Sequence, residues 1–159
     1  MAFLEWLQGL SISVWVSESD TVWGYPAILT LHTIGFGILV GANTVIDLRL
    51  LGVGRDVSLR SLRSLFPVMW LGLAINALTG VTLFAAAATE KGTQTVFYVK
   101  LTLIALALTV LMRIRRIVFD EHATEARDPR PERRPALALT SLVLWVGAIT
   151  AGRLMAYLH

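Results

Sequence analysis

GTQTVFYVKLTLIALALTVLM, residues 92–112, carries one charge, Lys100, over its whole length. An α-helix rises about 1.5 Å per residue and the hydrocarbon layer of a bilayer is about 30 Å thick, so about 20 apolar residues make one crossing. Three more such runs, 25–46, 64–89 and 135–158, fill most of the remaining chain, and Arg153 is the only other charge inside the four. The sequence therefore predicts an all-α integral membrane four-helix bundle. It is a single domain over 1–159, with spans at about 25–47, 64–89, 93–117 and 135–158.

Composition narrows the chemistry. Of 159 residues 55% are hydrophobic and 16% charged, which leaves no material for a sizeable soluble domain. Fourteen Lys and Arg against eleven Asp and Glu give a net charge of +3. Most arginines stand in two loops beside spans, so the lipid bilayer, and no nucleic acid, is the expected partner. The absence of cysteine excludes disulfides, thiolate catalysis and Cys-ligated zinc or iron–sulfur centres. No Gly-rich phosphate loop, His-x-x-x-His pair or Ser–His–Asp set is present, so the chain is not expected to act as an enzyme by itself.

The amino-terminal segment lacks a basic n-region and a small-x-small cleavage site, and is expected to be retained. Phe3, Leu7, Leu10 and Val14 recur at helical spacing with Trp6 and Trp15 beside them, which predicts an amphipathic interfacial helix over 1–17. Residues 11–16 also alternate as a strand would. Pro26 suits the first turn of span one, and Trp23 and Tyr25 a headgroup belt.

Arg49, Arg55, Arg60 and Arg63 follow span one and Arg113, Arg115 and Arg116 end span three, whereas the turn between spans two and three holds Lys91 alone. The positive-inside rule makes the arginine loops cytoplasmic, with 118–134 a solvated linker and both termini outside. Short connections predict an up-down-up-down bundle. Gly35, Gly37 and Gly41, Gly72 and Gly80, and Gly147 and Gly152 predict close helix contacts within one protomer, or a seam to a second copy.

On that topology His32, Lys100 and Arg153 fall at one level, about 8–10 Å from the outer ends of their spans. Cations in the apolar layer are costly and normally turn inward to a partner. One account is structural: the pair snorkels, or meets Glu5, Glu18 or Asp20 folded over the bundle mouth. The other is a site for an anionic group, such as a carboxylate, a phosphate or haem propionates. His32 is then a candidate axial ligand of haem b or a hydrogen-bond donor to a quinone, and otherwise a satisfied bundle histidine. His122 and His159 are badly placed as second ligands, and Met69 or Met155 would have to be brought round. Asn43 and Asn76 are candidates for an interhelical hydrogen bond, and Asp47 for an ion pair with Arg63 or Arg113.

Trp23-Gly24-Tyr25-Pro26, His32, Gly41, Asp47-Leu48-Arg49-Leu50-Leu51-Gly52, Lys100 and Gly152-Arg153 together resemble an uncharacterised family of small bacterial four-span inner-membrane proteins. That resemblance covers nearly the whole chain and implies a membrane bundle of the bacterial inner membrane with no agreed activity. A looser likeness to b-type membrane cytochromes and copper-resistance membrane domains rests on His32 and the basic residues near the outer face. The expected function is a non-catalytic subunit with an outward-facing pocket at His32, Lys100 and Arg153 for an anionic ligand or cofactor, linked to electron transfer through haem or quinone. A structural or assembly subunit, associating with other membrane proteins or itself, and a small-solute transporter are the rivals.

Overall fold

Pro26 in the first turn and Gly52 just past the end set the limits of the first long apolar helix. In a computed structural model, which describes residues 2–119, 133–155 and 157, seven α-helices follow in order. They are α1 (Ala2–Gln8), α2 (Ser11–Glu18), α3 (Tyr25–Leu50), α4 (Leu65–Ala86), α5 (Ala88–Lys91), α6 (Thr95–Ile114) and α7 (Arg133–Leu154). A 3-10 turn, Ser61–Ser64, leads into α4, and a π turn, Arg115–Phe119, continues α6. No strand occurs among the described residues. The fold is the expected all-α four-helix bundle.

The end of α3 explains a run of sequence that composition left unread. Val53 N–H donates to Leu48 O (3.0 Å) and Gly52 N–H to Arg49 O (3.2 Å), the paired bonds of a Schellman ending. Gly52 has φ 94°, which a side chain would resist. Arg49 then fastens the loop, donating from Nε to Val57 O (2.6 Å) and from Nη2 to Arg55 O (3.1 Å).

α3 packs on both α4 and α7, and α6 packs on α7. Every pairing is antiparallel: Gly35 meets Gly72 and His32 meets Gly80 across α3 and α4, while Leu103 meets Gly147 and Lys100 meets Gly152 across α6 and α7. α4 and α6 barely touch along their backbones. Aromatic pairs bridge their seam at its two ends, Phe84 with Phe97 at 4.9 Å and Phe66 with Phe119 at 5.1 Å. At the tightest crossing a Cβ on Gly72 would stand 2.8 Å from Gly35 O, and one on Gly35 2.9 Å from Gly72 O. Gly37 and Gly41 meet nothing within 4 Å, so the close packing expected of them within the protomer is not made.

α3, Ser61–Ala86, Thr95–Ile117 and Arg134–Leu154 are each long and apolar enough to cross a membrane, with mean hydropathies of 1.5, 1.8, 2.1 and 1.7. Their outward faces are as apolar as their inward ones, Leu71, Leu78, Val81, Val143 and Val146 all being exposed. A helix hydrophobic all round needs lipid or protein about it. Hydroxyls on these faces are satisfied locally: Thr33, Thr82, Thr102, Thr140 and Thr150 each donate to the carbonyl four residues back. These features fit a multi-pass membrane protein.

The amino-terminal segment departs from the single interfacial helix expected over 1–17. Leu10 takes an extended conformation, which breaks it into α1 and α2, and Ser13 Oγ donates back across the break to Leu7 O (2.9 Å). The strand-like alternation of 11–16 is overridden, because Ser13 and Val16, three residues apart, form the buried face of α2. α2 lies on α4 and α1 on α5, where Gln8 Oε1 accepts from Thr89 N (3.2 Å) and Oγ1 (2.6 Å). Phe119, placed by sequence in the linker over 118–134, is instead buried against Phe66. The rest of that linker, 120–132, and the carboxyl end at Leu158 and His159 lie outside the described residues.

Candidate functional site

The buried apolar core is concentrated toward the arginine-rich end, in Leu39, Ile46, Phe66, Met69, Leu111, Ile114 and Trp145 among others. The opposite half, toward Gly92, holds the partly buried His32, Thr79 and Lys100. His32 projects from α3 against α4, with Nδ1 3.1 Å from Asn76 O and 3.1 Å from Thr79 Oγ1. The Thr79 hydroxyl already donates to Ile75 O (2.6 Å), so it accepts from His32 and the ring hydrogen is assigned to Nδ1. Asn76 Nδ2 donates to His32 O (3.0 Å), which makes the α3–α4 contact reciprocal. Gly80 gives the ring its room, since a Cβ there would stand 3.1 Å from Cε1.

Lys100 reaches in from α6 along Gly152, whose Cβ, if present, would lie 3.6 Å from Cε and 3.8 Å from Nζ. Its ammonium is within Coulombic reach of His32. Among the described residues Lys100 makes no hydrogen bond or ion pair, and neither it nor Arg153 meets Glu5, Glu18 or Asp20. Arg153 follows Gly152 on α7 but is exposed, without a partner among the described residues. His32, against Gly80, and Lys100, against Gly152, thus lie at the same end of the bundle, as does Arg153 next to Gly152.

Haem can be tested against these residues. An iron at His32 Nε2 would have to displace the Asn76 carboxamide, whose nitrogen lies 3.4 Å away. Met69 is consumed by the packed core, Met155 lies beyond the end of α7, and His122 and His159 are outside the described residues. The described residues do not fit a haem held by two axial ligands. Nor do three His, Asp or Glu side chains among them come together as a metal site.

A second polar layer lies deeper, and sequence reasoning mispaired it. Asn43 does not reach Asn76, which is engaged by His32; its Nδ2 donates to Asp47 Oδ2 (2.5 Å) and to Ser141 Oγ on α7 (2.9 Å). Asp47 is fully buried and forms no ion pair with Arg63 or Arg113. Asn43 Oδ1, Asp47 Oδ1 and the neighbouring Trp145 Nε1 are buried without protein partners. The spacing of four between Asn43 and Asp47 was the available signal, because it puts both on one face of α3. No protein-family model, curated protein or solved structure matches the chain.

Proposed function

We propose that the protein is a non-catalytic subunit of a bacterial inner membrane, both termini outside, whose outward-facing site at His32 and Lys100 takes an anionic or electron-rich oxygen of a bound ligand. The observation that carries this reading is Lys100, a half-buried cation packed along Gly152 at the His32 end of the bundle, with no counter-charge among the described residues. A charge held at membrane depth normally finds a partner, and a carboxylate, phosphate or quinone carbonyl has the acceptor chemistry Lys100 lacks. Arg153 extends the positive field at the same end. With haem disfavoured by the Asn76 contact, a quinone is the electron-transfer ligand whose carbonyl suits the Lys100 ammonium.

The experiment is purification in mild detergent, an absorption spectrum of oxidised and reduced protein, and mass spectrometry of the solvent extract. An acidic or quinoid molecule that accompanies the wild type and is lost from Lys100→Leu is the expected result. Identical extracts from the two proteins would overturn the reading, and a Soret band that shifts on reduction would return haem to His32. An assembly role is the second reading, favoured by the outward-facing Gly37 and Gly41, which present a small-residue face to another helix.

A further inference from the structure

The seam between α4 and α6 holds a cavity of about 210 Å³ at the arginine-rich end, lined by Arg63, Phe66, Pro67, Trp70, Arg115 and Phe119. This is far more than one water's share of about 30 Å³. From this cavity we infer a site for the phosphate of an anionic phospholipid, its headgroup between Arg63 and Arg115 and its chains running along the open α4–α6 seam. The inference rests on the membrane reading above but on none of the His32 and Lys100 chemistry, which lies toward the opposite end.

Three features point to this occupant. The Arg115 guanidinium sits 5.6 Å from the centroid of the Phe66 ring, and Phe66 is itself held edge-on by Phe119. A guanidinium stacked on a ring keeps its edge N–H groups free to meet phosphate oxygens, and its planar fork suits them better than an ammonium would. The cavity also stands where the apolar faces of α4 and α6 give way to Arg113, Arg115 and Arg116, the depth at which a bilayer places its phosphates. Finally, α4 and α6 are the neighbouring helices that fail to close on each other. Beside the cavity Pro67, Val68 and Leu71 are exposed and Trp70 is half-buried, a continuous apolar wall for an acyl chain.

The test is native mass spectrometry of the delipidated full chain in detergent, titrated separately with phosphatidylglycerol, with phosphatidylcholine of the same chains, and with inorganic phosphate. Phosphatidylglycerol should be retained at concentrations about tenfold lower than phosphatidylcholine, because two arginines face its uncompensated charge. Arg63→Gln with Arg115→Gln should remove that preference, and Arg60→Gln, outside the cavity, should keep it. Competition by inorganic phosphate alone at equal concentration would show a free-phosphate site and overturn the lipid assignment. Equal retention of both lipids by the wild type, or an undiminished preference in the double variant, would also overturn it. A chain that stays monodisperse without detergent and retains neither lipid would refute the membrane reading itself.

Discussion

Asn43 and Asp47, one helical turn apart on α3, are joined inside the bundle by a 2.5 Å hydrogen bond, and the same Asn43 amide ties them to Ser141 on α7. All three are fully buried. The contact is thus a polar link between the α3–α4 and α6–α7 hairpins. Its strength comes from enclosure: a carboxyl group shielded from solvent depends on the hydrogen-bond partners around it.

Removing Asn43 should therefore be more damaging than removing the whole network. Asn43→Leu leaves buried Asp47 with the Ser141 hydroxyl as its remaining donor and is expected to cost about 1–3 kcal/mol, whereas Asn43→Leu with Asp47→Leu should recover part of that loss. Thermal unfolding in detergent across the double-mutant cycle measures the coupling. Strictly additive losses would mean that the two side chains act independently.

The crossing of α3 and α4 makes a sharper demand. With the Gly35 and Gly72 carbonyls each within 3 Å of a Cβ on the other, Gly72→Val has no space and should destabilise by about 1–3 kcal/mol. Gly37→Ala, by contrast, meets nothing and removes a weak helix former, so it should be neutral or stabilising by up to about 1 kcal/mol in the isolated protomer. A fall in oligomeric mass on size exclusion for Gly37→Leu, with the helical signal intact, would show that this face meets another helix. Equal loss of stability from Gly72→Val and Gly37→Ala would contradict the crossing described.

The number of long apolar helices was legible because it depends only on the length of apolar runs. The rotation of each helix was not. Leu71, Leu78, Val81 and Val143 face outward and are as apolar as Leu39, Ile46 and Leu111 inside, so hydrophobic periodicity does not distinguish the two faces. That is why the sequence offers Asn76 and not Ser141 as the partner of Asn43, and why it leaves Gly37 and Gly41 open between a contact within the protomer and a seam to a second copy. Gly52 shows the opposite case: the Asp47–Gly52 run stood out as a motif, and its glycine proves to be a helix stop.

Orientation can be tested at two exposed positions. Thr93 lies in the turn between α5 and α6, and Asp56 in the loop after α3. Gly92 is unsuitable for labelling, because its Cβ would stand 2.6 Å from Ala88 O. With the arginine loops cytoplasmic and no arginine in the α5–α6 turn, an impermeant thiol reagent on intact cells should label Thr93→Cys and spare Asp56→Cys. The reverse pattern would invert the topology and turn the His32 site toward the cytoplasm.

Lys100 and Arg153 should part company when each is replaced by leucine. Lys100 lies inside the bundle without a partner among the described residues, so Lys100→Leu removes a charge whose insertion costs up to about 2.5–3.5 kcal/mol at the membrane centre and less near an interface. The ligand-free variant should melt at higher temperature than ligand-free wild type, yet gain nothing from the co-purifying molecule. Arg153 is exposed beside Gly152, and Arg153→Leu should leave the melting temperature within the spread of ordinary surface changes, about 0.5 kcal/mol, while weakening ligand retention only through the lost field. Melting curves of both variants before and after solvent-extracted lipid is added back separate the two roles. If Lys100→Leu melts below wild type in the absence of ligand, Lys100 has an internal partner and the site is a structural one.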